Sequence, residues 1–299
     1  MVEERPEVSV IVVNWNSGEA LDGCLDSVGE AAEGRRAEVL VVDNASTDGS
    51  AEGAGVRRGV RLIRNPENVG FAGAANRGLS EASGEALLLL NPDARIDGEA
   101  LGRLLGLMKE DGRLGMVGCE SVDAEGRRAP GYEMSFPGQR GVTVAQREGE
   151  GRDVAWVSGA CVVVRREMVE DIGRLDDGFF MYCEDVDWCY RARKAGWRVV
   201  TLPGVTVKHE LGGSSTRVSA VERARWAAES RARFYRKHYS WGRAGWLRMR
   251  MAASGAAGML WRALPGVFSR AVRERMGVSW AVLRAAVGSG RAAGGEERE

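Results

Sequence analysis

Two histidines, five cysteines and seven prolines are few for a chain of 299 residues. The cysteines (Cys24, Cys119, Cys161, Cys183 and Cys189) are odd in number, form no CxxC pair and sit in apolar runs. That usage points to reduced, buried thiols and a cytoplasmic setting. No stretch reaches the roughly 18 uninterrupted apolar residues of a spanning helix. The nearest, Met251 to Trp261, is short, rich in Gly and Ala, and bounded by Arg250 and Arg262. The opening residues, Met1 to Glu7, are acidic and lack an apolar core, so no secretory signal is expected. A P-loop is absent, and the first strand-to-turn segment reads NWNSGE with no GxGxxG near it. Without those glycines the backbone cannot approach a pyrophosphate as dinucleotide-binding folds require, although Asp43 stands where they place their ribose acid.

What is present suits a folded protein. Hydrophobic residues make up 44% and charged residues 28%, which excludes disorder throughout. The length suits one large α/β domain, alone or with an appendage. The net charge of zero hides a division. Residues 1–216 hold 25 Lys and Arg against 36 Asp and Glu, whereas residues 217–299 hold 17 against 6. An acidic body with a basic end calls for a different partner at each part.

Apolar runs of strand length occur at Glu7–Asn14, Ala37–Val42, Val60–Ile63, Ala86–Leu90, Leu114–Cys119, Val154–Val164, Trp197–Leu202 and Val205–Lys208. Helical periodicity falls between several of them. Leu21, Cys24, Leu25 and Val28 are spaced i, i+3, i+4, i+7, and helices are expected over Gly70–Ala82, Glu99–Lys109 and Glu184–Gly196. Doubly buried strands alternating with helices predict an α/β fold with a parallel sheet covered on both faces. Ligands then bind at the carboxyl ends of the strands, where the polar clusters of this sequence fall. The stretch Glu120 to Arg152 reads as an irregular, mobile insert, the chain beyond about Ala220 as basic helices, and Ala292–Glu299 as a disordered tail.

Three clusters could carry chemistry. Asp93, after four leucines and held by Pro92, suits a divalent cation that also contacts phosphate oxygens; Asn-Pro-Asp is equally ordinary turn chemistry. The run Phe179 to Arg191 sets Glu184, Asp185 and Asp187 among large apolar side chains, which raises carboxyl pKa values and suits proton transfer. Acids complementing a helix N-terminus, and an Asp187–Arg191 i,i+4 pair, are the plainer alternatives. His209, at the end of VTVKHE, is either structural or part of a site shared with Asp93.

Together, VSVIVVNWNS, VVDNASTDGS, NPENVGFAGAANRG, LLLLNPDARI, VSGACVVVRR, LDDGFFMYCEDVDWCYRARKAG and VKHELGGSS resemble the family-2 inverting glycosyltransferases, especially their rhamnosyltransferase-like branch. The resemblance covers about Val8 to Ser215. It implies a GT-A fold, a Rossmann-like, mostly parallel sheet with helices on both faces, over residues 1–216; the basic amphipathic helices read from charge and pattern occupy 217–291. Asp43 would bond the donor's base, with Asn14, Asn16, Asn68, Gly70, Asn76 and Asn91 around the nucleotide. Asn91-Pro92-Asp93 matches the family's D-x-D metal motif with Asn as its first member, which leaves Asp93 and His209 as ligands for Mg²⁺ or Mn²⁺, held less tightly. Asp185 matches the general base, with Glu184 helping to orient it or the acceptor. Ser158, Gly159, Ala160 and Trp188 would border the acceptor.

The implied reaction moves a sugar, rhamnose from dTDP-rhamnose first, from a nucleotide sugar to a glycan or polyprenyl-diphosphate-linked acceptor in cell-envelope polysaccharide synthesis. A UDP-sugar hexosyl or galactofuranosyl transferase is the near alternative, and a catalytically silent glycan-binding or scaffolding module the distant one. Between Arg217 and Arg291, arginine alternates with nine aromatic residues, from Trp226 to Trp280. Such helices suit the anionic inner face of the cell membrane, giving a peripheral location; packing on the body or homodimerisation is the alternative. No nucleic-acid recognition motif is present.

Overall fold

The structure is a computed structural model describing residues 5–139, 151–209, 218–262 and 270–288. The chain runs β1 (Val8–Asn14), α1 (Glu19–Ala31), β2 (Ala37–Asp43), α2 (Ser50–Gly55), β3 (Val60–Arg64), α3 (Gly70–Glu81), β4 (Ala86–Leu90), β5 (Ala94–Arg95), α4 (Gly98–Glu110) and β6 (Leu114–Val122). It continues through β7 (Arg128–Ala129), β8 (Tyr132–Glu133), β9 (Arg152–Asp153), β10 (Trp156–Val157), β11 (Cys161–Arg165), α5 (Arg166–Ile172), α6 (Glu184–Lys194) and β12 (Arg198–His209). Helices α7 (Ala220–His238), α8 (Trp241–Arg262) and α9 (Arg270–Val287) follow. Two compact units emerge: Met1–Asp177 with Asp185–Ser214, and Gly178–Glu184 with Ser215–Glu299.

The first unit is built on a sheet ordered β3-β2-β1-β4-β11-β6-β12-β5. Every residue of β1 and β4 is buried. Their valines and leucines have no polar face to turn to water, so they take the middle of the sheet, parallel to one another. α1 covers the sheet with Leu21, Cys24, Leu25, Val28 and Ala31. Gly78 lets α3 lie close to Ile11, where any Cβ would overlap the Ile11 side chain. α4 starts at Asp97, whose Oδ1 accepts from the Ala100 amide at 2.8 Å.

The strand order reverses between β1 and β4, so the carboxyl ends of these two strands flank the crevice where open α/β sheets bind ligands. Pairing brings other elements to that edge. β11 runs antiparallel to β4 with Cys161 opposite Leu90, so the residues just before Cys161 sit beside the end of β4. β12 runs parallel to β6, which is antiparallel to β11, so β12 also points its carboxyl end, His209, to this edge.

Several expectations change in detail. The run Val154–Val164 is two strands, β10 and β11, broken at Ser158–Ala160. Conversely, Trp197–Leu202 and Val205–Lys208 belong to one strand, β12, with a bulge at Pro203–Gly204 where the pairing register shifts. Proline lacks the amide for the ladder, and Gly204 has φ 76°, so the interruption is local. Helices α2 and α5, of six and seven residues, are too short to leave a periodic signature. The sheet is mixed, because β11 and β5 run against their neighbours. Within the expected insert, β7 and β8 are ordered elements, and residues 140–150 lie outside the described residues, as does the 292–299 tail.

The second unit takes in Gly178–Glu184, upstream of the boundary expected at residue 216. Phe179 is fully buried there, with the Arg233 guanidinium 5.2 Å and the Lys237 ammonium 5.7 Å from its ring centre. Ser230 Oγ donates to the Met181 carbonyl at 2.8 Å. Gly255 brings α8 against α9, since a Cβ there would lie 2.8 Å from the Ser279 carbonyl. Arg248 donates to the carbonyls of Ala286 (3.0 Å) and Gly288 (2.9 Å), where α9 runs out of internal partners. Among the described residues, no helix is long and apolar enough to cross a membrane.

Candidate active site

The polar groups at the ends of β1 and β2 form a buried network. Asn14 and Asp43 are paired across the strands. The Asn14 amide donates to Asp43 Oδ1 (3.1 Å), Ser46 Oγ (3.1 Å) and Ser50 Oγ (2.9 Å). Asn14 is fully buried and its Oδ1 has no hydrogen-bond partner. It therefore stands behind Asp43 as a support and offers no open surface to a ligand. Asp43 Oδ1 also faces the Ser46 amide, and its Oδ2 lies 3.8 Å from Arg64, beyond hydrogen-bond reach. Asn16 ties the two loops together: its amide donates to Ser46 Oγ, and its Oδ1 accepts from the Thr47 amide at 2.7 Å.

Asn44, which motif reading passed over, is the hub of the next layer. Its amide donates to Asn68 Oδ1 (2.7 Å) and the Gly70 carbonyl (3.2 Å), and its Oδ1 accepts from Asn65 and the Val69 amide. Asn68 Oδ1 takes the Gly70 amide at 3.0 Å, so this asparagine fixes the start of α3. The signal was the Asp-Asn dipeptide at a strand end, but only tertiary contacts with residues 21 to 26 positions away give Asn44 its role. Asn76 stands apart from this layer. Its amide donates to the Leu175 carbonyl at 2.8 Å, and it joins α3 to the loop after α5.

The second cluster gathers at the end of β4. His209 Nε2 lies 3.0 Å from Asp93 Oδ1 and 3.4 Å from the Asn91 amide nitrogen. The register of His209 opposite Ala94 brings these residues together across 116 positions. The Asn91 backbone N–H donates to the Ala160 carbonyl at 2.8 Å, which attaches the Ser158–Ala160 break to the same place. Beyond Ala160, the Gly159 amide donates to Asp185 Oδ2 at 3.0 Å, and the Val186 amide donates to Asp185 Oδ1 at 2.8 Å. Burial pushes the Asp185 carboxyl above the ordinary aspartate range, and these amides oppose the shift without cancelling it. A Cβ on Gly159 would come within 3.6 Å of the Phe71 ring and 3.7 Å of Asp185 Cβ. Phe71 follows Gly70, so the two clusters meet at the start of α3.

Backbone strain marks the same loops. Among the described residues, the non-glycine residues with left-handed φ are Asn16 (51°), Ala45 (62°), Tyr182 (68°) and Cys183 (64°). The first two lie in the loops around Asp43, and the last two directly precede Glu184 and Asp185. For residues other than Gly and Asn such conformations cost about 1–3 kcal/mol each and persist where the surrounding structure holds them.

One assignment needs correction, and one alternative is decided. Trp188 is 1% exposed and its indole N–H donates to the Gly173 carbonyl at 2.9 Å, so it belongs to the core and presents nothing to an acceptor. Asp187 is fully buried against Arg191 at 2.9 Å, the i,i+4 pair. That arginine also binds the carbonyls of Ile172 and Arg174, so the pair anchors the loop before α6. Glu184 is buried and begins α6. Ser158 Oγ accepts from the Ala160 amide and shapes the break itself.

Residues 9–173 match the family model for glycosyl transferase family 2, which is more than half of the chain. The chain belongs to that family. A relative in Mycobacterium tuberculosis, N-acetylglucosaminyl-diphospho-decaprenol L-rhamnosyltransferase, is 31% identical over 265 residues, covering 79% of this chain and 86% of that protein. The low-salt glycan biosynthesis hexosyltransferase Agl10 of Haloferax volcanii is 27% identical over 227 residues, 71% of this chain and 69% of that one. Among solved structures, a mannosyltransferase from Pyrobaculum calidifontis in complex with GDP-Man and Mn²⁺ aligns at TM-score 0.57 and 21% identity, covering 95% of this chain and 87% of that one. GalNAc-T7 with UDP, GalNAc and Mn²⁺ aligns at TM-score 0.61 and 16% identity, covering 92% and 55%. The fold is that of the GT-A glycosyltransferases, and the chain is a family-2 glycosyltransferase.

The Asp93–His209 pair can be tested for a divalent cation. Among the described residues, no group of three or more His, Cys, Asp or Glu side chains is placed to hold a metal. The pair offers one carboxylate and one imidazole. His209 Nε2 and Asp93 Oδ1 are two atoms of metal-ligating type 3.0 Å apart, so a proton on Nε2 bridges them when no cation is bound and a cation can take its place. A carboxylate with an imidazole suits Mn²⁺ or Mg²⁺ when phosphate oxygens and water complete the shell, so the residues fit.

Proposed function

We propose that this glycosyltransferase transfers a sugar, with inversion, from a pyrimidine nucleotide sugar to a polyprenyl-diphosphate-linked glycan, with dTDP-rhamnose as donor. The observation that carries this reading is the meeting of Asp43, Asp93, His209 and Asp185 along one edge of the sheet. The name of the mycobacterial relative supports both the sugar and the lipid-linked acceptor.

Inversion requires a single in-line displacement at the anomeric carbon. Asp185 would take the proton of the acceptor hydroxyl as that oxygen attacks, and its raised pKa brings its basicity closer to neutral pH. The Gly159 amide on Oδ2 fixes the carboxylate's direction. Glu184, one residue earlier, would orient the acceptor. Asp43 Oδ2 would accept the donor base's N–H, with Asn14 and Ser46 holding the carboxylate and Asn16 holding Ser46. Asp93 and His209 would hold Mg²⁺ or Mn²⁺, which when bound offsets the charge that develops on the leaving diphosphate. Asn91, neutral where the family motif has an acid, would leave that cation less tightly held. The gap at Ser158–Ala160, walled by Phe71, would admit the acceptor.

The test is thermal stabilisation by a panel of nucleoside diphosphates and nucleotide sugars, with and without Mn²⁺. A ligand at about a hundred times its Kd adds roughly 2.7 kcal/mol, a visible shift in Tm. A Mn²⁺-dependent response to dTDP and dTDP-rhamnose is expected. A larger response to UDP would replace the donor with a UDP-hexose. No response to any pyrimidine nucleotide from folded protein would overturn the reading and leave a silent module.

A further inference from the structure

Helix α8 turns its apolar side chains the wrong way for a helix that packs only on protein. Trp241 is 94% exposed, Met249 63% and Trp246 52%. Trp241, Gly245 and Met249 are spaced i, i+4, i+8, and Trp246 flanks them, so all lie on one outward face. The opposite face, Ala244 and Leu247, is buried. α9 repeats the arrangement: Trp280 and Val287 are exposed, with Arg284 between them at i+4.

Charge identifies the partner. α8 contains no acidic residue and carries Arg243, Arg248, Arg250 and Arg262. The Arg250 guanidinium lies 4.8 Å from the Trp246 ring centre and Arg243 4.5 Å from that of Tyr239, so cations edge the aromatic face. With 17 basic against 6 acidic residues from position 217 onward, a second copy of this unit would meet like charge. An anionic bilayer instead offers negative headgroups to the arginines and an interfacial layer that accepts indole rings.

We propose that the outward face of α8, with Trp241, Trp246 and Met249 as its apolar anchors and Arg243 and Arg250 as its charged edge, seats this protein on an anionic lipid bilayer. The helix lies in the interface and does not cross. This extends the lipid-linked acceptor reading, but it stands on α8 and α9 alone and is read without donor or acceptor, so either can fail without the other.

The experiment is vesicle flotation of the full chain with phosphatidylglycerol–phosphatidylethanolamine vesicles, against pure phosphatidylcholine vesicles. Binding to the anionic vesicles is expected, with a blue shift of tryptophan emission and at least tenfold weaker binding at 0.5 M NaCl. Trp241→Ser with Trp246→Ser should weaken binding at least tenfold and Arg243→Glu with Arg250→Glu at least as much, each leaving far-UV circular dichroism and nucleotide-induced thermal shift unchanged. Absence of vesicle binding by folded protein at low salt would overturn the proposal. So would binding that neither double variant weakens, or variants that only convert a dimer to a monomer without changing flotation.

Discussion

The two units solve the burial problem in opposite ways. Among the buried polar groups of the sheet unit, Asn14, Asp43 and Asn44 are sunk together at strand ends and bonded to one another. In the helical unit the side chains that stand out are aromatic and apolar, Trp241, Met249 and Trp280, left outside. Each departure is costly in the isolated chain. A buried carboxylate must be held by donors, and an exposed indole loses the gain of burial. The first marks where a small polar ligand would complete the protein, and the second where a surface would. Side chains out of place in this sense are what the proposed reaction centre in one unit and the proposed docking face in the other rest on.

Substitutions can break that contrast, and the largest effect is expected at Asp185. Asp185→Asn should lower turnover by about 10²–10⁴-fold while leaving nucleotide affinity within a few-fold, measured by steady-state assay and thermal shift. Equal loss of binding would make the residue structural. The same carboxyl predicts a pH profile. Its pKa is raised in the folded protein, so the protonated form is favoured, and activity should climb as pH rises through a value above the ordinary 3.8 of aspartate. For stability the sign is reversed. This group stabilises the fold most at pH below its unfolded value, and that contribution is lost as pH rises through the folded pKa. An acid limb at or below the ordinary aspartate value would remove Asp185 as the base.

Asp93→Ala should come next. It should lower Mn²⁺-dependent nucleotide affinity by about 10–100-fold, read from the difference in thermal shift with and without metal. An unchanged metal increment would take Asp93 out of the site. Asn14→Ala should cost about 1–3 kcal/mol of stability, because it strips a donor from buried Asp43 and from Ser46 and Ser50 together. Urea unfolding measures it, and a loss under about 0.5 kcal/mol would mean the network is not coupled. The smallest effect belongs to the other unit. Trp241→Ser should change stability by no more than about 0.5 kcal/mol, since almost all of that side chain is already in water. A large loss would show that the indole is part of the packing.

Legibility in the sequence followed the same contrast. The strands β1, β2 and β4, and the helices α1, α3 and α4, are long or uniformly apolar enough to be read directly, and their polar ends put Asp43 and Asp93 at the carboxyl edge of the sheet. Short α2 and α5 escaped because fewer than two turns show no period. Trp188 was misassigned because an aromatic beside three acids looks like a binding wall, whereas its neighbours at Gly173 place it inside. Asn44 was missed because nothing local distinguishes a hub asparagine from an ordinary turn.

What the sequence determined alone was the alternation of buried strands and helices, the family motifs, and the separation of acidic from basic charge. These depend on period, composition and short-range order, which the chain carries from residue to residue. Tertiary structure decided that His209 meets Asp93 across more than a hundred residues, that Asn14 supports Asp43 from behind, and that Gly178–Glu184 belongs with the helices. It also decided which face of α8 is outward. Strand register and helix packing fix those relations, and both are settled by burial against distant residues whose identity no local pattern contains.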